Sequence, residues 1–182
     1  MKTLLAWRDE IAAWQLSQFP QLKTFGSKTL NAMLWRTRME VEELLGLILD
    51  PRVDPSAEPD KVRGELADIA IMLMDIATIG KFDPTPSALG DDDAFPPATW
   101  PVTTYAAFLN RQLSELIWEN TDIPGNPFPY TTGRRVRLLF SALEHLAVCY
   151  TTTLSREIGI KMLVNVKRRW SIGSLGIAHH EA

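Results

Sequence analysis

The chain has 182 residues, 46% of them apolar and 23% charged, with a formal net charge of −3. That composition is ordinary for a globular domain and argues against disorder or a fibrous class, while the near-neutral charge argues against a protein that coats nucleic acid. A single cysteine, Cys149, leaves no intrachain disulfide and no cysteine zinc cage, as suits a reducing cytosol.

Taken in chain order, apolar residues recur at spacings of three and four, and sustained alternation is missing, which predicts an all-α fold of about six helices in one domain over residues 1–182. The early run Leu4-Leu5-Ala6-Trp7 is broken by Arg8, Asp9 and Glu10, and no run of about 18 apolar residues follows, so neither a signal peptide nor a membrane span is expected. The expectation is a soluble, cytoplasmic protein. The first helix runs from about Thr3 to Gln18 and stops at Phe19-Pro20, because a residue before proline is pushed out of the helical region. The second, from about Lys28 to Asp50, follows the capping residue Ser27 and halts before Pro51. The third opens near Asp60 and closes at Gly80.

Residues 82–133 are loop-rich. They hold Pro84, Pro86, Pro96, Pro97 and Pro101 around an Asp91-Asp92-Asp93 run that lacks the spacing of a calcium loop and reads as a solvated turn. A fourth helix is expected from about Tyr105 to Asn120, a fifth from about Arg134 to Thr151 and a sixth from about Arg156 to Trp170. The stretch RVRLLFSAL at 135–143 lies against KVRGELADI at 61–69, with Leu139 and Ala142 in place of two acids. Any two amphipathic helices share this much by pattern, so the match reads as chance likeness before internal duplication, and the region after the third helix is open between an insertion and a degenerate duplicated half. Arg134, Arg135 and Arg137 read as a solvated helix start, His145 as a helix-surface or core residue, and His179 and His180 as part of an unstructured tail.

Two acidic signatures stand out: Glu40-x-x-Glu43 in the second helix and Glu65-x-x-Asp68 in the third. Between Gly64 and Gly80 the only ionisable residues are Glu65, Asp68 and Asp75, which at about 100° per residue share an arc of roughly 80° on an otherwise apolar helix. Unpaired carboxylates are costly there, so a cation is expected to neutralise them, and a hard divalent ion with oxygen ligands suits them best. Residues three apart lie about 60° apart around the axis, so Glu40 and Glu43 can address one ion, whereas Glu42 projects away as a solvated charge. Antiparallel pairing of the two helices through the Pro51–Pro59 link gathers four carboxylates, with raised pKa values and one or more Mg²⁺ ions as the natural occupant.

The order E-x-x-E, then E-L-x-D opening an apolar helix, then Lys161-Met-Leu-Val-Asn165-Val-Lys-Arg168-Arg169-Trp170, resembles the MazG-like all-α nucleoside triphosphate pyrophosphatases, a superfamily that includes dimeric dUTPases and dCTP pyrophosphatases. Trp14 followed by Gln18-Phe19-Pro20 is similar to the family's opening helix, and the likeness covers most of residues 10–80 and 156–170. It implies a MazG-like bundle that hydrolyses a nucleoside triphosphate between the α and β phosphorus atoms, in a homodimer. On this resemblance Glu40, Glu43, Glu65 and Asp68 match the magnesium ligands and catalytic acids, with Mn²⁺ a possible substitute and Glu43 the candidate base. Lys161, Asn165 and Arg168, on one face of one helix, would meet the phosphates. Asp75 is open between a further ligand, a partner of Lys161 and a buried hydrogen-bonded carboxylate. Trp14, Phe19 and Trp35 are open between stacking on the base and core packing.

The chain departs from the family in having Met39 where an adjacent acid is common, and in placing more than ninety residues between Asp68 and Lys161. Two other readings compete. A di-iron bundle needs Glu-x-x-His, which none of His145, His179 and His180 supplies. A catalytically silent helical module that binds nucleotides or proteins would pair its acids with Arg36, Arg38 and Arg63.

Overall fold

The structure, a computed structural model, describes residues 2–18, 27–52, 54, 56–88, 97–121, 130–168, 170–172 and 178–180. Six helices make an all-α bundle: α1 (Leu4–Gln18), α2 (Ser27–Leu49), α3 (Pro59–Gly80), α4 (Val102–Thr121), α5 (Tyr130–Cys149) and α6 (Leu154–Asn165). A short 3₁₀ turn at Pro86–Ala88 precedes α4. None of the described helices is long and apolar enough to cross a membrane.

The apolar sequence of α3 decides the architecture. A helix with apolar residues on nearly every side must be surrounded, and α1, α2, α5 and α6 all pack against it. Val62, Leu66, Ile69, Ala70, Leu73, Met74, Ile76 and Ala77 are all buried. α2 and α3 form one hairpin and α4 and α5 a second, with α4 lying on α2. Leu30, Leu34, Val41 and Leu44 of α2 meet Leu109, Leu113 and Leu116 of α4 and Val136, Phe140 and Leu143 of α5 in one continuous core. Arg38 on α2 reaches Asn110 and Ser114 of α4, the latter at 3.0 Å, which ties the two hairpins at the surface.

The ends of α3 follow from its sequence. Pro59 occupies the first turn, where its missing N–H costs nothing, beside Asp60, whose charge suits the helix dipole. At the other end Lys81 takes the left-handed conformation, φ 54°, so that its N–H and that of Phe82 return to Thr78 and Ala77. α6 is capped by Thr153, whose hydroxyl accepts from the Arg156 N–H.

Three expectations are corrected. The last helix does not reach Trp170: it ends at Asn165, Arg168 lies in the exposed turn beyond, and residues 170–172 instead begin a strand. Strand β1 (Trp170–Ile172) pairs antiparallel with β2 (Ala178–His180), so His179 and His180 belong to a hairpin rather than to an unstructured tail. After Asn165 the last turn tightens, with the Lys167 and Arg168 N–H groups donating three residues back to the Val164 and Asn165 carbonyls, and the helix stops there. Thirdly, two of the three arginines near the start of α5 are structural: Arg135 is clamped between Glu115, Glu119 and Gln112 of α4, and Arg137 donates to the Asp83 carbonyl at 2.8 Å, whereas Arg134 is exposed. The Asp91-Asp92-Asp93 run and Phe19 lie outside the described residues.

Candidate functional site

The two acidic signatures meet where α2 lies along α3. Glu40, Glu43 and Glu65 each present a carboxylate oxygen within 4.8 Å of the others. Leu44 and Val41 on α2 and Leu66 and Ile69 on α3 point into the core, which leaves the intervening acids at the margin between the helices. The charge that weighs most on Glu40 is Asp68, and the one that weighs most on Glu65 is Glu43, the pairing that an antiparallel crossing produces.

The electrostatics are those of crowded like charges at a partly dry surface. Burial raises the pKa of Glu65 to about 7, with Glu43, Asp68 and Glu40 adding to the rise. Burial, then Asp68 and Glu43, pushes Glu40 up as well, against the opposing charges of Arg36 and Lys161. One oxygen of Glu65, Oε2, is buried without a hydrogen-bond partner. Three hard oxygen donors that repel one another and include an unsatisfied oxygen could together hold a metal ion.

Asp68 is brought to the same place but is engaged: its carboxylate accepts from the Lys161 ammonium, reaching across from α6. The four expected acids therefore divide into a trio and an ion pair. Lys161 stands at the rim of the acid cluster, where its charge also acts on Glu40 and Glu65. Its partner among the acids is Asp68, not Asp75, and no local pattern could reveal a pair separated by 93 positions. Arg36 lies 3.8 Å from Glu40, one helical turn away, a loose contact that leaves the glutamate addressed to the trio.

The remaining expected residues scatter. Asn165 is buried at the end of α6, whereas Arg168 follows the helix end and is exposed, so the three phosphate-facing residues do not share one helical face. Asp75 is 4% exposed and bonded to Gln15 of α1, and burial carries its pKa to about 7, so of its open alternatives the structure shows the buried, hydrogen-bonded carboxylate. Trp14 is partly buried against the core, and Trp35 is 58% exposed. Glu42 is exposed and pairs at 2.7 Å with Arg38, on the side of α2 that borders α4 and away from the acid trio. His145 stacks on Tyr105, 5.2 Å between centroids, and Nδ1 lies 2.8 Å from the Ser141 carbonyl, far from any acid pair of di-iron type. Comparison with protein-family models, with curated proteins and with solved structures returns no match to this chain.

Proposed function

We propose that the protein is a Mg²⁺-dependent nucleoside triphosphate pyrophosphohydrolase that converts a (d)NTP to its monophosphate and pyrophosphate, in the manner of the MazG-like enzymes, and so controls or cleans a nucleotide pool. The observation that carries the reading is the convergence of Glu40, Glu43 and Glu65 within 4.8 Å beside the Lys161–Asp68 pair. Mg²⁺ held by the trio would screen the polyphosphate and act as a Lewis acid at the attacked phosphorus.

Around it, this chain's own residues have separate tasks. Glu43, the exposed member of the trio, is placed to take the proton of the attacking water. The water oxygen bonds to the α phosphorus as the α–β bridging bond breaks, and pyrophosphate leaves with the bond electrons. Lys161 offers its ammonium to the phosphates at the rim, and Asn165, one turn on, helps to position it. The like charges raise the energy of the site while it is bare, and binding the cation and the anion together relieves it. A homodimer in the cytoplasm accompanies this reading.

The Lys161–Asp68 pair favours a second reading, in which the acids are ion-paired relics of a silent module that binds a nucleotide or a protein. One assay separates the two: pyrophosphate release from a panel of dNTPs with and without Mg²⁺, with Glu43→Ala and Asp68→Ala as controls. Turnover lost in both variants with helicity intact is the expected result. A wild-type protein that releases no pyrophosphate from any dNTP at millimolar Mg²⁺ would leave only the silent module.

A further inference from the structure

Asp68 belongs to the acid cluster by position. It lies one helical turn from Glu65 on the same strip of α3, and after burial it is the strongest influence on Glu40. Its carboxylate is nevertheless not one of the three that converge within 4.8 Å, because the Lys161 ammonium holds it.

The ammonium is delivered from a fixed platform. Leu154, Ile158 and Met162 of α6 are buried, and α6 packs along α3, so the backbone under Lys161 is anchored and only its side chain can swing. That side chain is a compact charge with three N–H donors on a flexible four-carbon stem. It is 23% exposed and the Asp68 side chain 25%, so a dissolved anion can reach the pair without any helix moving. Arg36 does not duplicate the arrangement, since it lies on α2 and stands 3.8 Å from Glu40.

An oxygen lone pair that accepts an ammonium N–H cannot also bind a metal, and the ammonium repels a divalent ion at that spot. The ammonium is tethered, so it competes at a constant effective concentration however little or much free cation is present. Lys161 also acts on Glu40 and Glu65, which puts it within electrostatic reach of the trio as well as of Asp68.

We infer that Lys161 is a built-in gate on the acid cluster. In the resting protein it withholds Asp68 and leaves Glu40, Glu43 and Glu65 to hold one divalent ion; a polyphosphate that draws the ammonium to itself releases Asp68 as a fourth ligand. The gate rests on the proposed hydrolysis for the identity of its anion, and on the trio alone for its metal. Its consequence is reciprocal coupling, in which the anion and a second divalent ion each bind better once the other is present. Paired ions about 3.5–4 Å apart clamp the attacking and leaving oxygens of a phosphoryl transfer, so the gate would complete such a site only around its substrate.

The test counts ions on the full chain by titration calorimetry and EPR with Mn²⁺ as the probe, at pH 8, above the Glu65 pKa of about 7. The wild type should take one Mn²⁺ per chain with the spectrum of an isolated ion. Lys161→Gln should take two, with a spin-coupled spectrum, and adding Asp68→Asn to it should return the count to one. Asp68→Asn alone should keep the first ion within tenfold of the wild-type affinity, whereas Glu65→Gln should weaken it at least tenfold; this comparison decides the matter if circular dichroism shows that Lys161→Gln does not fold. With Mg²⁺ present, inorganic tripolyphosphate should shift the ¹⁵N resonance of the Lys161 ammonium. The gate is overturned if the resting wild type binds no Mn²⁺ or already holds a coupled pair, if folded Lys161→Gln binds only one, if Asp68→Asn weakens the first ion as Glu65→Gln does, or if millimolar tripolyphosphate leaves the ammonium signal unmoved. None of these readouts needs turnover. Pyrophosphate release by a wild type that holds a coupled pair at rest sinks the gate and keeps the hydrolase, and gated ion binding without any release does the reverse.

Discussion

Asp75 allows a quantitative test of how this core handles charge. It is 4% exposed, Oδ1 has no hydrogen-bond partner, and burial raises its pKa from 3.8 to about 7 although Gln15 and Arg36 both act to lower it. With the folded pKa above the unfolded one, the native state holds a proton that the unfolded chain has lost throughout the window from 3.8 to about 7. The stability this group contributes is therefore full below pH 3.8, falls as pH rises through that window, and is gone above 7. At about 1.36 kcal/mol per pH unit the whole fall is roughly 4 kcal/mol, and about 2 kcal/mol of it lies between pH 5.5 and 8. Asp75→Asn keeps the shape and the bond to Gln15 but cannot ionise. Urea unfolding of both proteins at pH 5.5 and pH 8 should then show the variant gaining roughly 2 kcal/mol on the wild type between the two conditions. The comparison cancels the titration of Glu65 and Glu40, which both proteins retain. Stability curves that run parallel from pH 5.5 to 8 would refute the argument, since they would mean that Asp75 is ionised in the fold across the whole range.

Millimolar Mg²⁺ should raise the thermal midpoint of the wild type, by an amount equivalent to about 2.7 kcal/mol at a hundredfold excess over Kd, and Glu65→Gln should reduce that gain, a calorimetric readout free of any substrate. Lys81 holds a left-handed conformation at the end of α3, so Lys81→Gly should stabilise the protein by about 1 kcal/mol in chemical denaturation. Leu73→Ala removes a fully buried side chain from the central helix and should cost about 2–5 kcal/mol, seen as a lower urea midpoint at constant slope. Arg135→Met leaves Glu119 and Glu115 without their shared cation and should destabilise the α4–α5 hairpin by about 2 kcal/mol, more at pH 8 than at pH 4, because Arg135 holds the Glu119 pKa below its usual value.

What the sequence determined by itself is local. The three-and-four spacing and the prolines after α1 and α2 place the helices, because hydrogen bonds and dihedral limits within a single turn act on neighbours in the chain. The same locality made the acid strip of α3 legible, since one helix fixes the angle between Glu65 and Asp68 whatever surrounds it. The tertiary structure decided which acids share a site and which are occupied elsewhere. Lys161 finds Asp68 rather than Asp75 because α6 crosses α3 at that level, and Asp75 turns to Gln15 because α1 covers it there. Arg135 looked like a solvated residue in a basic run, yet the register between α4 and α5 drives it onto two glutamates. Such registers are set by the fit of one helix surface into another, a sum of many weak contacts between residues distant in sequence, and no short motif records that sum.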